Sequence, residues 1–190
     1  MSLDWPVAIE GVTESIAATL GPNDRWNLAA LGLHAGDPVT ARTWGHTRTR
    51  GNFERQGGGY IVFAADPVLF VEAALGIREA DRPVPEGADA WAAIDVERID
   101  TGTSDGTDWA EWALTPTETG IERERVPTIN RGYNAVIEAT VAASRLDVDA
   151  YDTATLLDRL AYLESVTRRC GGDRDRAAFD RLNDLVDRPE

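Results

Sequence analysis

The chain has 190 residues, 43% of them apolar, enough to bury one sizeable core, and it reads as one compact unit rather than two. Its 33 acidic residues oppose 19 basic ones for a formal net charge of −14, and with no lysine in the sequence every basic residue is arginine. This balance argues against a nucleic-acid-binding face. The single Cys170 with His34 and His46 excludes a disulfide framework and a Cys/His zinc cluster, and no apolar run is long enough to cross a membrane, so a cytoplasmic protein is expected.

In chain order, apolar segments separated by turn residues predict strands over Val12–Leu20, Arg25–Leu33 and Val39–Trp44, joined as an antiparallel meander. A polar stretch then predicts a short helix through Phe53 and Arg55, ended by Gly57-Gly58-Gly59, which reads as a flexible turn. A strand follows over Tyr60–Ala64, and Asp66-Pro67 opens a helix that stops at Gly76. Two further strands, Ala90–Ile99 and Asp108–Thr115, flank a Thr/Gly/Asp/Ser loop. Six strands suffice to close a small barrel, giving a mainly β fold with α.

From Asn130 the apolar period becomes helical, through Tyr133, Val136, Ile137, Thr140, Val141 and Ser144. Helices over Thr153–Arg169 and Arg174–Val186 follow as an antiparallel hairpin, with Gly171-Gly172 and Asp173 as stop and cap. Cys170 reads as a helix-packing residue. The expected division is a barrel region over 1–128 and a C-terminal helical region over 129–190.

One segment departs from the acidic composition. Between Pro38 and Phe53 there is no carboxylate, while Arg42, Arg48 and Arg50 supply positive charge, Thr43, Thr47 and Thr49 supply hydroxyls, and Asn52 supplies an amide. Guanidinium groups, hydroxyls and the free N–H groups of a helix starting near Thr47 are the donors that a phosphate requires. The competing reading is surface ion pairing of these arginines with the abundant carboxylates. A second cluster, Asn130-Arg131-Gly132 with Asn134, reads either as a ligand-facing helix start or as an ordinary capped helix whose polar face is solvated. His46 reads as a loop hydrogen-bond donor.

Acidic, lysine-free chains are similar to those of salt-accumulating archaea, whose molar salt shortens the Debye length to about 3 Å and removes the self-repulsion of such a surface.

Three stretches carry a resemblance to a known family: Arg42-Thr43-Trp44 followed by His46 to Phe53; Ala65-Asp66-Pro67 through Gly76; and Asn130-Arg131-Gly132-Tyr133-Asn134 through Ala139. Together they resemble the domain of unknown function 447 family, itself similar to the FMN-binding split barrels of flavin reductases. The resemblance implies a six-stranded antiparallel split β-barrel with a C-terminal helical region, a homodimer, and FMN held near the subunit interface with its phosphate after the third strand. Thr47, Thr49 and Asn52 match the family's hydroxyl, threonine and asparagine, whereas His46 stands where a glycine is expected. By analogy, the isoalloxazine ring is expected against the second strand at Asn27, Leu28 and Ala29, near the helix start at Asp66, with Arg42, Arg48, Arg131 and Asn134 as further contacts.

The implied activity is an FMN-dependent oxidoreductase of unknown substrate. A non-catalytic flavin-binding or electron-transfer protein and a flavin-free interaction module are the alternatives. The sequence holds no nucleophile elbow, P-loop or metal-ligand spacing.

Overall fold

The computed structural model describes residues 3–186. Residues 1–2 and 187–190, the outer ends of the expected barrel and helical regions, lie outside the described residues. The chain divides into two units, one of residues 1–65 and 77–125, the other of 66–76 and 126–190.

The first unit is a closed six-stranded antiparallel barrel with one additional strand. Its strands are β1 (Val12–Leu20), β2 (Trp26–His34), β3 (Val39–Trp44), β4 (Gly58–Phe63), β5 (Arg78–Ala80), β6 (Ala90–Ser104) and β7 (Thr107–Ile121), with helix α1 (Arg48–Gln56) between β3 and β4. Around the barrel the order is β1, β2, β3, β7, β6, β4 and back to β1. The expected meander therefore stops at β3: the chain crosses to β4, which pairs with β1 and β6, while β3 finds its second neighbour in β7. Short β5 lies along the start of β2, Trp26 to Leu28, whereas β3 pairs with the end of β2 at Leu33 and His34.

Alternation along the strands explains the interior. Leu31, Leu33, Val39, Ala41, Ile61, Phe63, Ala90, Ala92, Ile94, Ala110, Trp112 and Leu114 form one buried cluster, and Phe53 of α1 enters it with its ring 5.4 Å from that of Trp112. Burying a phenylalanine of this kind stabilises the unit by roughly 1.5–3 kcal/mol and fixes α1 on the barrel.

The glycine triplet is not a flexible turn. Gly57 caps α1 in the left-handed region (φ 65°), while Gly58 and Gly59 are strand residues whose added Cβ atoms would lie 2.6 Å from the Ile94 carbonyl oxygen and 2.8 Å from that of Ala18. Strands β6 and β7 run further than expected. Their loop shrinks to Asp105-Gly106 (φ 49° and 78°), a two-residue turn that lets Ser104 face Thr107.

The second unit contains α2 (Pro67–Leu75), α3 (Arg131–Ala143), α4 (Thr153–Cys170) and α5 (Asp173–Leu185). Val71, Val136, Ala139, Leu156, Leu160, Phe179 and Leu182 lie in its core. The buried stripe of α3 centres on Val136, Ala139, Thr140 and Ala143, so Ser144 is exposed at the helix end rather than in the stripe. Helix α4 packs mainly on α3 and α5 mainly on α2, so the expected α4–α5 hairpin is the lesser contact.

Between α4 and α5, Gly172 rather than Asp173 is the N-cap, and its N–H donates to the Asp175 carboxylate at 2.8 Å. Cys170 is a free, exposed thiol and not a packing residue. Among the described residues, no helix is long and apolar enough to cross a membrane.

Candidate functional site

The segment singled out by its charge forms the start of α1. Thr47 is the N-cap and accepts from the Arg50 N–H at 3.3 Å. The chain reaches this cap through Gly45, whose left-handed φ of 64° makes the bend, with Gly45 N–H donating to the Asp108 carbonyl at 2.6 Å. The turn glycine thus stands one residue before His46, which is exposed. Arg50 folds back to donate to the Gly45 carbonyl at 3.3 Å and to Glu54 at 3.4 Å, bracing the loop against the helix.

The candidate donors separate into those already engaged and those not. Thr43 points into the barrel, where its hydroxyl donates to the Ala110 carbonyl at 3.4 Å and accepts from the Trp112 indole at 2.9 Å; it is a core bridge and no anion ligand. Arg42 lies on the other face of β3, 4.1 Å over the Trp109 ring and paired at 3.5 Å with Glu111, its cross-strand partner. The ion-pairing alternative describes all three arginines of the segment, since Arg50 pairs with Glu54 and Arg48 with Glu79 as Arg42 does with Glu111.

Asn52 is only 4% exposed, and its amide donates to the Thr19 hydroxyl at 2.9 Å and to the Thr19 carbonyl at 3.3 Å, while its oxygen accepts from Arg55. Both ends of the amide are thereby spent on holding α1 to β1.

Two buried polar side chains remain without a hydrogen bond among the described residues. Thr49, on the first turn of α1, is 5% exposed, and Asn27, on β2, is 7% exposed. Asn27 faces Thr19 across the β1–β2 ladder, on the same side of the strand as the core residues Leu31 and Leu33. Thr19 in turn holds Asn52, one helical turn from Thr49. The ladder and the helix thus gather Asn27, Thr19, Asn52 and Thr49 into one polar patch beside the start of α1.

Their polar atoms are not sealed off: among the described residues the side-chain nitrogen or oxygen buried without a hydrogen bond is Arg181 Nε, so the Thr49 hydroxyl and the Asn27 amide stay open to water or a ligand. The Arg48 and Thr49 N–H groups at this helix start also lack an intrahelical acceptor. Leu28 and Ala29, the other β2 candidates, are buried and half-buried beside Asn27.

Arg48 is 53% exposed and lies 2.9 Å from Glu79 of β5. Glu79 also accepts from the Asn23 amide at 3.3 Å and lies 3.7 Å from Arg25. Sequence reasoning missed Glu79, because one carboxylate among 33 acidic residues carries no mark of its own.

The remaining candidates belong to the second unit. Asp66 caps α2 through the Val68 and Leu69 N–H groups at 2.9 and 3.4 Å and is paired with Arg174 at 2.6 Å. Burial pushes its carboxyl up, but the Arg174 hydrogen bond, the two backbone donors and the Arg174 charge outweigh burial and hold it below the usual carboxylate range.

Arg131 and Asn134 are exposed at the start of α3, Arg131 without an ion pair among the described residues. Asn130 caps that helix by accepting from the Gly132 and Tyr133 N–H groups and donates to Asp175 at 3.1 Å. The close approach that Gly132 permits is to protein and not to a ligand: an added Cβ would lie 2.1 Å from the Gly171 Cα. Among the described residues, no group of His, Cys, Asp and Glu side chains could hold a metal ion.

Most of the chain is similar to an FMN-bound protein of Methanosarcina mazei, with a TM-score of 0.79 and 26% identity over 93% of this chain and 96% of that one. Weaker likenesses include the styrene monooxygenase flavin reductase of Pseudomonas putida (TM-score 0.45, 12% identity, 63% of this chain and 95% of that one). Another is an FMN-binding protein of Thermus thermophilus (TM-score 0.42, 15% identity, 64% and 79%). Two family models match, the N-terminal domain of the protein of unknown function DUF447 over residues 13–123 and the DUF447 model over residues 130–184. With most of its length so matched, the chain belongs to the DUF447 family.

Proposed function

We propose that the protein is an FMN-binding flavoprotein and works as an oxidoreductase, with the flavin phosphate held at the start of α1. The observation that carries this reading is the pair of largely buried residues, Thr49 and Asn27, whose polar side-chain atoms make no hydrogen bond among the described residues and stay accessible beside a helix start whose first N–H groups are free. The FMN-bound relative of near-equal length supports the choice of ligand.

Thr49 donates its hydroxyl to the phosphate, the Arg48 and Thr49 N–H groups add the helix-start donors, and Arg48 supplies charge. Asn27 offers its amide to the polar edge of the ligand from the neighbouring strand. Asn52 acts at one remove, by fixing α1 through Thr19. Arg42 and Asp66, engaged elsewhere, are positioning residues at most, and Arg131 and Asn134 provide a separate polar face on α3. When bound, FMN supplies hydride or electron transfer, and the protein's part is to bind and orient it.

We further infer a homodimer, for which Ile121, Val126 and Ile129, at 61%, 89% and 94% exposure, supply apolar surface that a second copy can bury. The acidic, lysine-free composition supports the cytoplasm of a salt-accumulating cell as its setting.

The test is titration of the purified protein with FMN in molar KCl, followed by flavin fluorescence. Wild type is expected to quench it saturably, and Thr49→Val to weaken binding by about 1.5–3 kcal/mol, the usual worth of a hydrogen bond to a charged group. Wild type that never quenches FMN overturns the flavoprotein reading. A flavoprotein that turns over no quinone, flavin or pterin with NADH, NADPH or reduced deazaflavin is a binding or electron-transfer protein.

A further inference from the structure

Glu79 occupies an unusual position for a surface carboxylate. It is carried by a three-residue strand laid against the start of β2, its register partner there is Asn27, and it collects cations and an amide from two other places in the barrel unit. Arg48 lies 2.9 Å away, both Glu79 oxygens are 3.3 Å from the Asn23 amide, and Arg25 is 3.7 Å away. Arg25 is held more tightly by Asp81, at 2.8 Å. A carboxylate that accepts from a guanidinium and an amide reproduces the chemistry of a bound phosphate oxygen.

Resting on the phosphate site proposed above, we propose that Glu79 is an internal competitor of the ligand phosphate: the phosphate takes Arg48 only by displacing the Glu79 carboxylate from it. Asn23 and Arg25 stay behind and keep Glu79 partnered after the exchange. At 29% side-chain exposure Glu79 is also open to counter-ions.

The consequence concerns salt. An arginine that is free before binding gains an ion pair when the phosphate arrives, and dissolved salt weakens that gain. Here one ion pair is given up for each one formed. Screening acts on both sides of the exchange, so affinity for the phosphate varies little with ionic strength. Glu79 thus exchanges affinity at low salt for affinity that holds at molar salt. The same exchange favours a terminal phosphomonoester, whose second charge compensates for the lost carboxylate, over a neutral ligand carrying the same ring.

The experiment measures dissociation constants for FMN and for riboflavin, by fluorescence, in wild type, Glu79→Gln, Arg48→Ala and the double variant. The range runs from the lowest KCl concentration at which circular dichroism shows an intact fold up to molar KCl. Glu79→Gln is expected to bind FMN roughly threefold to fivefold tighter than wild type at the low end, the scale of an exposed ion pair. The advantage is expected to fall below about twofold at the high end as screening removes it. Wild-type affinity should change little over the same range, riboflavin affinity should not respond to Glu79→Gln, and Arg48→Ala should abolish the response to it.

Glu79→Gln that binds FMN no tighter at low salt, an advantage that persists undiminished at high salt, or an equal change for riboflavin overturns the proposal while leaving FMN binding in place. Wild type that binds FMN at no salt concentration overturns the flavoprotein reading itself.

Discussion

Asn52 shows how a residue of the expected type takes on a different task. In the sequence it stands three positions after Thr49, in a segment rich in donors, and reads as a phosphate ligand. In the fold its amide is committed to Thr19 and Arg55. Replacing it with alanine leaves the Thr19 carbonyl without its side-chain donor. The expected loss is about 1–3 kcal/mol of stability, measured by denaturant unfolding in molar KCl. An Asn52→Ala protein of wild-type stability would make the Thr19 contact incidental.

The place of Thr49 on the first turn of a helix was legible from the cap at Thr47, because that feature is local. The commitment of Asn52 was not legible, since its partner lies 33 positions away and is brought near only by the fold. The same limit hid Glu79, and it made Thr43, a core bridge to Trp112, look like a member of the donor cluster.

Among the elements, β1 and β3 have the bounds expected from the sequence, because apolar alternation and flanking turns agree. β5 was missed because Arg78-Glu79-Ala80 has no apolar period; neighbouring β2, not its own pattern, makes it a strand. The end of β6, Asp100 to Ser104, was read as loop because its polar residues are mostly exposed, where burial imposes no pattern.

Helix α2 carries a pH dependence that follows from its cap. The Asp66 carboxyl has its pKa lowered in the fold, so its stabilising contribution is fully present above the unfolded value of about 3.9. That contribution is lost as pH falls through the lower folded value. Acid unfolding followed by circular dichroism should therefore lose part of its steepness in Asp66→Asn, which is also less stable at neutral pH. An acid limb identical to wild type would remove Asp66 from the groups that drive it.

For the whole molecule, charge sets the conditions under which the fold persists. A formal charge of −14 on 190 residues repels itself at low ionic strength, and the many arginine–carboxylate pairs, such as Arg98–Glu54 and Arg168–Asp180, lie at partly exposed positions. The melting temperature is expected to rise from low to molar KCl, by about 10 °C or more if screening recovers a few kcal/mol. A melting temperature that stays level or falls would contradict adaptation to salt. The six-stranded architecture was legible in the sequence, since six apolar segments with turn signals leave few alternatives. The order in which they close was not, because β3 meeting β7 and β4 meeting β1 are contacts between distant segments that no local pattern encodes.

The lone exposed thiol at the end of α4 has a practical use that follows from the absence of lysine. A maleimide dye can attach only at Cys170, and the chain offers no side-chain amine to compete for it. Because Cys170 adjoins Gly171, the dye sits beside the knuckle where α3 and α4 meet backbone to backbone. Its emission can report how the helical unit opens, while tryptophan emission from Trp112 and its neighbours reports on the barrel. The protein therefore carries a ready optical means of asking whether its two units melt together or in turn.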